Sequence, residues 1–265
     1  MKDSKGYLER MRDAMREKLF FIEHLDLSNK IIIDFGAADG TLIKELINIG
    51  YENTTYFCVE NYAEFLQTCK QLKEIGDVIA ASGLTEVEMW LRGHKQYGND
   101  TREVVLICSS VLHECTWSMQ RVITSFALNW CNYFILRDMF WDNFVHRIDW
   151  DARARILGNI ITYAPHPDLM QEFFKLRGVS DESIKEYLLK YTYVDNWETE
   201  VEECYLNVDW TAIKDAKGVN NSAFEVVYEN IYTNQFIKER IFNDFGFNIS
   251  WPTHCQLILK VNQGG

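Results

Sequence analysis

Apolar positions along the chain follow two rhythms. Short unbroken runs, IIIDF (31–35), TTYFCVE (54–60), DVIAAS (77–82), VVLICSS (104–110) and NYFILRDM (132–139), are rich in β-branched and aromatic residues. Runs of this length without polar alternation belong to strands buried on both faces of a parallel sheet. Between them, TLIKELINIG (41–50), residues 62–75, a polar stretch after 83 and residues 117–130 carry helical patterning, and Gly50 and Gly76 stand where the first two of these should stop. Residues 7–26 predict one more amphipathic helix, with Leu8, Met11, Met15, Leu19 and Leu25 near one face. The strand–helix alternation predicts a doubly wound, Rossmann-like α/β sheet.

The last third of the chain breaks this rhythm. NQFIKERIFNDFG predicts a helix with Phe236, Ile237, Ile241 and Phe245 at core spacing. GFNISWPTHCQLILKV then reads as two strands joined by a turn over 250–253, an antiparallel hairpin that brings the sheet to seven strands. Residues 141–233 contain the helical patterns PDLMQEFFKLRG, SDESIKEYLLKY and NWETEVEECYL and a strand-like FEVVYENIY, punctuated by Pro165 and Pro167. So long and patterned a segment is no linker. The expected division is therefore a core of 1–140 with 234–265, and a mainly helical cap, 141–233, inserted between the fifth strand and the last core helix.

Composition narrows the partners. Lys and Arg number 27 against 39 Asp and Glu, a net charge of −12, and no basic run offers a phosphate-binding surface, so nucleic acid is not favoured. No stretch approaches the ~18 apolar residues of a membrane span, and the charged start lacks the pattern of a signal peptide. The seven cysteines form no CxxC pair, and several lie inside apolar runs. They read as reduced, mostly buried thiols, which points to a cytoplasmic protein. Neither they nor the six histidines show metal-ligand spacing. Oligomeric state leaves no mark on the pattern.

The chemistry begins at Asp34-Phe35-Gly36-Ala37-Ala38-Asp39-Gly40. Small residues at 36, 38 and 40 allow a sharp turn out of the strand and close approach of the backbone to a ligand, with a helix N-terminus behind it. The spacing differs from the dinucleotide GxGxxG, whose last two glycines are three apart. It resembles the acidic-x-Gly-x-Gly-x-Gly motif of class I S-adenosylmethionine (SAM) methyltransferases, with Ala38 in place of the middle glycine. A C-terminal antiparallel hairpin on an otherwise parallel sheet is also a feature of that group. The segments SSVLHE (109–114), LRDM (136–139) and NWE (196–198) extend the resemblance over most of the chain, toward uncharacterised bacterial and phage proteins with a methyltransferase domain.

The resemblance implies SAM as cofactor, held by Asp34, Gly36, Ala37, Ala38 and Gly40. It implies that Glu60, twenty residues beyond Gly40, accepts hydrogen bonds from the ribose hydroxyls. Ser82 at the end of the third strand falls where the family often contacts adenine, and Ser109 and Ser110 fall beside the methionine part. Beyond the fourth strand, His113 is a candidate general base with Glu114 next to it. Arg137 and Asp138 end the fifth strand on the same rim, as catalytic groups or as a structural ion pair. Among the cap's aromatics, Tyr193 and Trp197 are the candidates for the acceptor. The Pro-Pro-Tyr/Phe and Pro-Cys motifs of DNA methyltransferases are absent, and net charge favours a small-molecule or protein acceptor. Two rival readings remain: a catalytically silent SAM-binding sensor or partner module, and a nucleotide-cofactor oxidoreductase on a related sheet.

Overall fold

Seven strands form one sheet in the order β3-β2-β1-β4-β5-β7-β6. They are β1 (Lys30–Phe35), β2 (Thr55–Val59), β3 (Val78–Ala81), β4 (Glu103–Ser109), β5 (Tyr133–Met139), β6 (Ala223–Tyr232) and β7 (His254–Asn262). The computed structural model describes residues 15–141, 148 and 150–262, so the first half of the helix predicted over 7–26 lies outside the described residues. Strands β1–β5 are parallel, and Asp34 lies beside Cys58 on one neighbour and Ile107 on the other. The order reverses between β1 and β4, the switch point where open α/β sheets bind ligands at their C-terminal strand ends. β7 runs antiparallel to β5: Phe140 N donates to Thr253 O at one end, and Val261 N to Asn132 O at the other.

The chain divides into two compact units, one built on the sheet (described residues to Asp138, with Asp209–Asn230 and from Gln256) and one mainly helical (Met139–Val208 with Ile231–Cys255). In the sheet unit, α1 (Met15–Lys18), α2 (Thr41–Ile49) and α3 (Ala63–Gln71) cover one face. Met15, Leu42, Ile43, Leu46 and Cys69 join Ile32, Tyr56, Val105 and Ile107 in a single buried cluster there. Helices α4 (Leu84–Leu91) and α5 (Trp117–Trp130) serve the other face, where Trp90 meets Phe57 edge-on at 5.1 Å.

The helical unit holds α6 (Trp150–Tyr163), α7 (Pro167–Arg177), α8 (Asp181–Lys190), the short α9 (Trp197–Glu200) and α11 (Gln235–Phe245), whereas α10 (Trp210–Lys214) lies in the sheet unit. Its core gathers Ile160, Phe173, Ile184, Tyr187, Trp197, Ile241 and Phe245.

Several expectations need correction. The second antiparallel strand is not GFNI (246–249) but FEVVYENIY, with α11 lying between it and β7. An edge strand buries little, and Val226 and Val227 are exposed, so nothing in its pattern separates it from cap sequence. Helix α11, expected in the core, buries Ile241 and Phe245 within the helical cluster, while Phe236 is 66% exposed rather than buried. NWETEVEECYL forms only the four-residue α9.

Candidate functional site

The turn after β1 needs its glycines. Gly36 and Gly40 both have φ +76°, and a Cβ on either would run into a side chain, Val111 for Gly36 and Leu72 for Gly40. Ala38, at φ 47°, takes the same left-handed region without the glycine's freedom. Every second residue from 36 to 40 is therefore left-handed, and Gly40 caps α2, whose first turn is further closed by Asp39 Oδ1 accepting from Thr41 Oγ1 at 2.6 Å.

Glu60 ties the next strand end to this turn. Its Oε2 accepts from Ala38 N at 2.9 Å, and its Oε1 from Asn61 N and Tyr62 N at 2.8 and 2.9 Å. Three backbone donors hold the carboxylate in one orientation, and Oε2 keeps a lone pair for a further hydroxyl. Just past β3, Ser82 does not stand alone. Glu86, in the first turn of α4, accepts from the Ser82 hydroxyl and, at 3.2 Å, from Ser82 N.

Asp34 is buried at the heart of the site. Burial pushes its carboxyl up to about 7, with Lys18 opposing the rise and the Glu60 and Asp39 charges adding to it. Burial likewise lowers the Lys18 ammonium to about 8, Arg137 adding to the fall while Asp34, Asp138 and Asp39 resist it. Lys18 escapes sequence reading because a lysine on an amphipathic helix reads as solvated; only the heptad-like placement of Met15 beside it hints that this turn is covered.

Ser109 and Arg137 are register partners on β4 and β5. Ser109 is 8% exposed, and its hydroxyl has no hydrogen-bond partner among the described residues. Arg137 donates to Glu17 Oε2 at 2.7 Å and to Ser110 Oγ at 2.6 Å, with Ser110 held left-handed at φ 59°. Arg137 thus forms an ion pair with Glu17.

Asp138 is engaged elsewhere. It is wholly buried, and its Oδ1 lies 2.6 Å from His113 Nδ1. Its Oδ2 accepts from the backbone N of Val111, Leu112 and His113 at 3.1, 2.8 and 3.4 Å. His113 is 5% exposed, and its Nε2 lies 3.9 Å from Glu114 Oε1. The His113–Asp138 pair was not legible, because the two residues stand 25 apart and meet only through the pairing of β4 with β5.

The aromatic candidates belong to the helical unit. Trp197, 6% exposed, packs near Phe173 and donates from Nε1 to Glu172 Oε2 at 3.1 Å, so it is a core residue there. Tyr193 packs with Leu189, Tyr205 and Leu206. A cleft of about 620 Å³ opens in the sheet unit, but at the N-terminal strand ends, lined by Tyr51, Tyr56, Asp77 and Arg102. That is the opposite end from the residues above, and Arg102 is closed on Asp100 at 2.7 Å.

No family model matches the chain, and no curated protein does. Solved structures are similar at the level of fold. A SAM-dependent methyltransferase from Archaeoglobus fulgidus covers 94% of this chain with 93% of its own, at 10% identity and TM-score 0.45. The plantazolicin methyltransferase BamL, in complex with a desmethyl analogue and SAH, covers 99% with 90% of its own, at 11% and 0.44. A protein of Rhodobacter sphaeroides described as a zinc-dependent alcohol dehydrogenase covers 93% with 90% of its own, at 12% and 0.48. At these scores the likenesses bear on neither activity nor substrate. The topology itself, five parallel strands followed by an antiparallel pair in the order 3-2-1-4-5-7-6, is a doubly wound, Rossmann-like α/β fold.

The residues present fit SAM. Two positions that exclude a Cβ let the backbone approach a ligand, the fixed Glu60 carboxylate offers an acceptor to a diol, and the buried Ser109 hydroxyl lacks a partner among the described residues. Among the described residues, no helix is long and apolar enough to cross a membrane.

Proposed function

We propose that the chain is a SAM-dependent methyltransferase acting on a small molecule or a protein. The observation that carries this reading is the bond from Ala38 N to Glu60 Oε2 at 2.9 Å. It locks a glycine turn of methyltransferase spacing to a strand-end carboxylate at the switch point of the sheet. In this reading Asp34, Gly36, Ala37, Ala38, Gly40, Glu60, Ser82, Ser109 and Ser110 hold the cofactor. When bound, SAM supplies an electrophilic methyl group on a sulfonium. The chain's own contribution is to bind and align the acceptor, worth up to ~10 kcal/mol in favourable cases, from the rim that carries His113, Glu114, Arg137 and Asp138.

Incubation with methyl-labelled SAM and fractionated cell extract tests the proposal. Label should appear in a small-molecule or protein fraction. A silent SAM-binding module, the reading favoured by the strained Ala38, predicts calorimetric SAM binding with no label in any fraction.

A further inference from the structure

From the pairing at the ends of β4 and β5, we infer that the acceptor is a neutral, weakly acidic hydroxyl, and that Asp138 is the positioning residue that makes His113 its base. The inference rests on the methyltransferase reading of the same strand-end site. It starts from what Asp138 is built to do. A carboxylate with no exposure is costly unless its oxygens are all engaged, and here one oxygen takes backbone N–H groups while the other takes His113 Nδ1 at 2.6 Å. A carboxylate in that place fixes the proton on Nδ1 and leaves Nε2 as the basic nitrogen. The same Val111 whose N–H is held by Asp138 packs its side chain against Gly36 of the cofactor turn, two residues from His113. The imidazole is therefore placed by the turn and by β5 together.

Such a device suits only some acceptors. Carboxylates are already anionic near neutrality and have no proton to lose, and a thiol of pKa about 8.5 ionises with less help from a base than a hydroxyl of about 10 or above. An ammonium acceptor has no lone pair with which to attack and would bring a second positive charge to the sulfonium of SAM. A phenol or alcohol is neutral, binds without that repulsion, and needs its proton removed as it attacks. The acceptor oxygen forms its bond to the methyl carbon while the carbon–sulfur bond breaks with its electron pair on sulfur. The hydroxyl proton passes to His113 Nε2. The products are a methyl ether, the neutral thioether and a protonated imidazole that returns its proton to solvent.

The test uses the full chain with methyl-labelled SAM and cell extract, and sorts the label by linkage. A label stable to mild base and released by hydriodic acid as methyl iodide is a methyl ether, the expected result. A base-labile ester, or an N- or S-linked methyl, overturns the inference and leaves the methyltransferase reading intact. Failure to bind SAM by calorimetry overturns that reading itself, and binding without label in any fraction overturns both the transferase and the hydroxyl. With the acceptor isolated, His113→Gln should lower kcat about 100-fold or more at unchanged calorimetric affinity for SAM. The loss should shrink as rising pH ionises the acceptor; a loss equal at every pH assigns His113 a structural role. Nitrogen-15 NMR of the unliganded protein adds a readout free of turnover. The His113 proton is expected on Nδ1 in the wild type, and in Asp138→Asn that preference should be lost; a wild-type proton on Nε2 contradicts the role given to Asp138.

Discussion

At the scale of single residues, the site stores its tension in the backbone of the turn and in one buried carboxyl. Ala38 sits at φ 47°, a region that costs a residue with a Cβ roughly 1–2 kcal/mol, against the roughly 0.5–1 kcal/mol that glycine's flexibility costs. Ala38→Gly is therefore expected to raise stability by about 0.5–1 kcal/mol, read as a higher urea midpoint at unchanged slope. Asp34 gives a pH signature. Its folded value of about 7 lies above the ordinary 3.8, so the folded state holds the proton more tightly. Its contribution to stability is fully present below about pH 4 and is lost as pH rises through 7. Asp34→Asn, which keeps the neutral shape, should gain stability relative to wild type as pH rises from 4 to 7.5; a difference independent of pH would contradict the burial argument. The turn and Glu60 were legible because each is a local signal: small residues at even spacing, an acid at a strand end. Lys18, Glu86 and the partner of His113 were not, because each acquires its place only through contacts between elements.

At the scale of elements, the parallel strands were readable for a physical reason. A strand covered on both faces must be apolar throughout, so β1, β2 and β4 announce themselves. β6 stands at the sheet edge, where Glu225 and Glu229 flank the exposed Val226 and Val227, and its sequence is equally compatible with cap. Helix α8 shows the opposite problem, since its pattern predicts a helix but hides what the helix buries. Lys190 is fully buried: its Nζ pairs with Glu186 Oε1 at 2.9 Å, donates to the carbonyl oxygens of Glu200 and Glu203, and lies 4.5 Å from the centre of the Tyr205 ring. Removing one member of such a pair leaves the other charge buried and unmatched, at a cost of about 3–5 kcal/mol. Lys190→Ala should destabilise the helical unit by that amount in chemical denaturation. A loss below about 1 kcal/mol would indicate an exposed pair and contradict the burial of α8.

At the scale of the whole molecule, the candidate site draws on the far ends of four neighbouring strands. β1 supplies the turn, β2 the Glu60 carboxylate, β4 Ser109 and His113, and β5 Arg137 and Asp138. Residues far apart in sequence meet there because the strand order reverses between β1 and β4. The helical unit has an aromatic core of its own. The site stands or falls on the cofactor, and one measurement tests it directly: a calorimetric titration of the wild-type protein and of Glu60→Gln with SAM, with NAD as the comparison ligand. The account predicts saturable binding of one SAM per chain, no comparable binding of NAD, and an affinity lowered by tenfold or more in Glu60→Gln, about 1.4 kcal/mol. Absence of SAM binding, preference for NAD, or an affinity indifferent to Glu60 would contradict it.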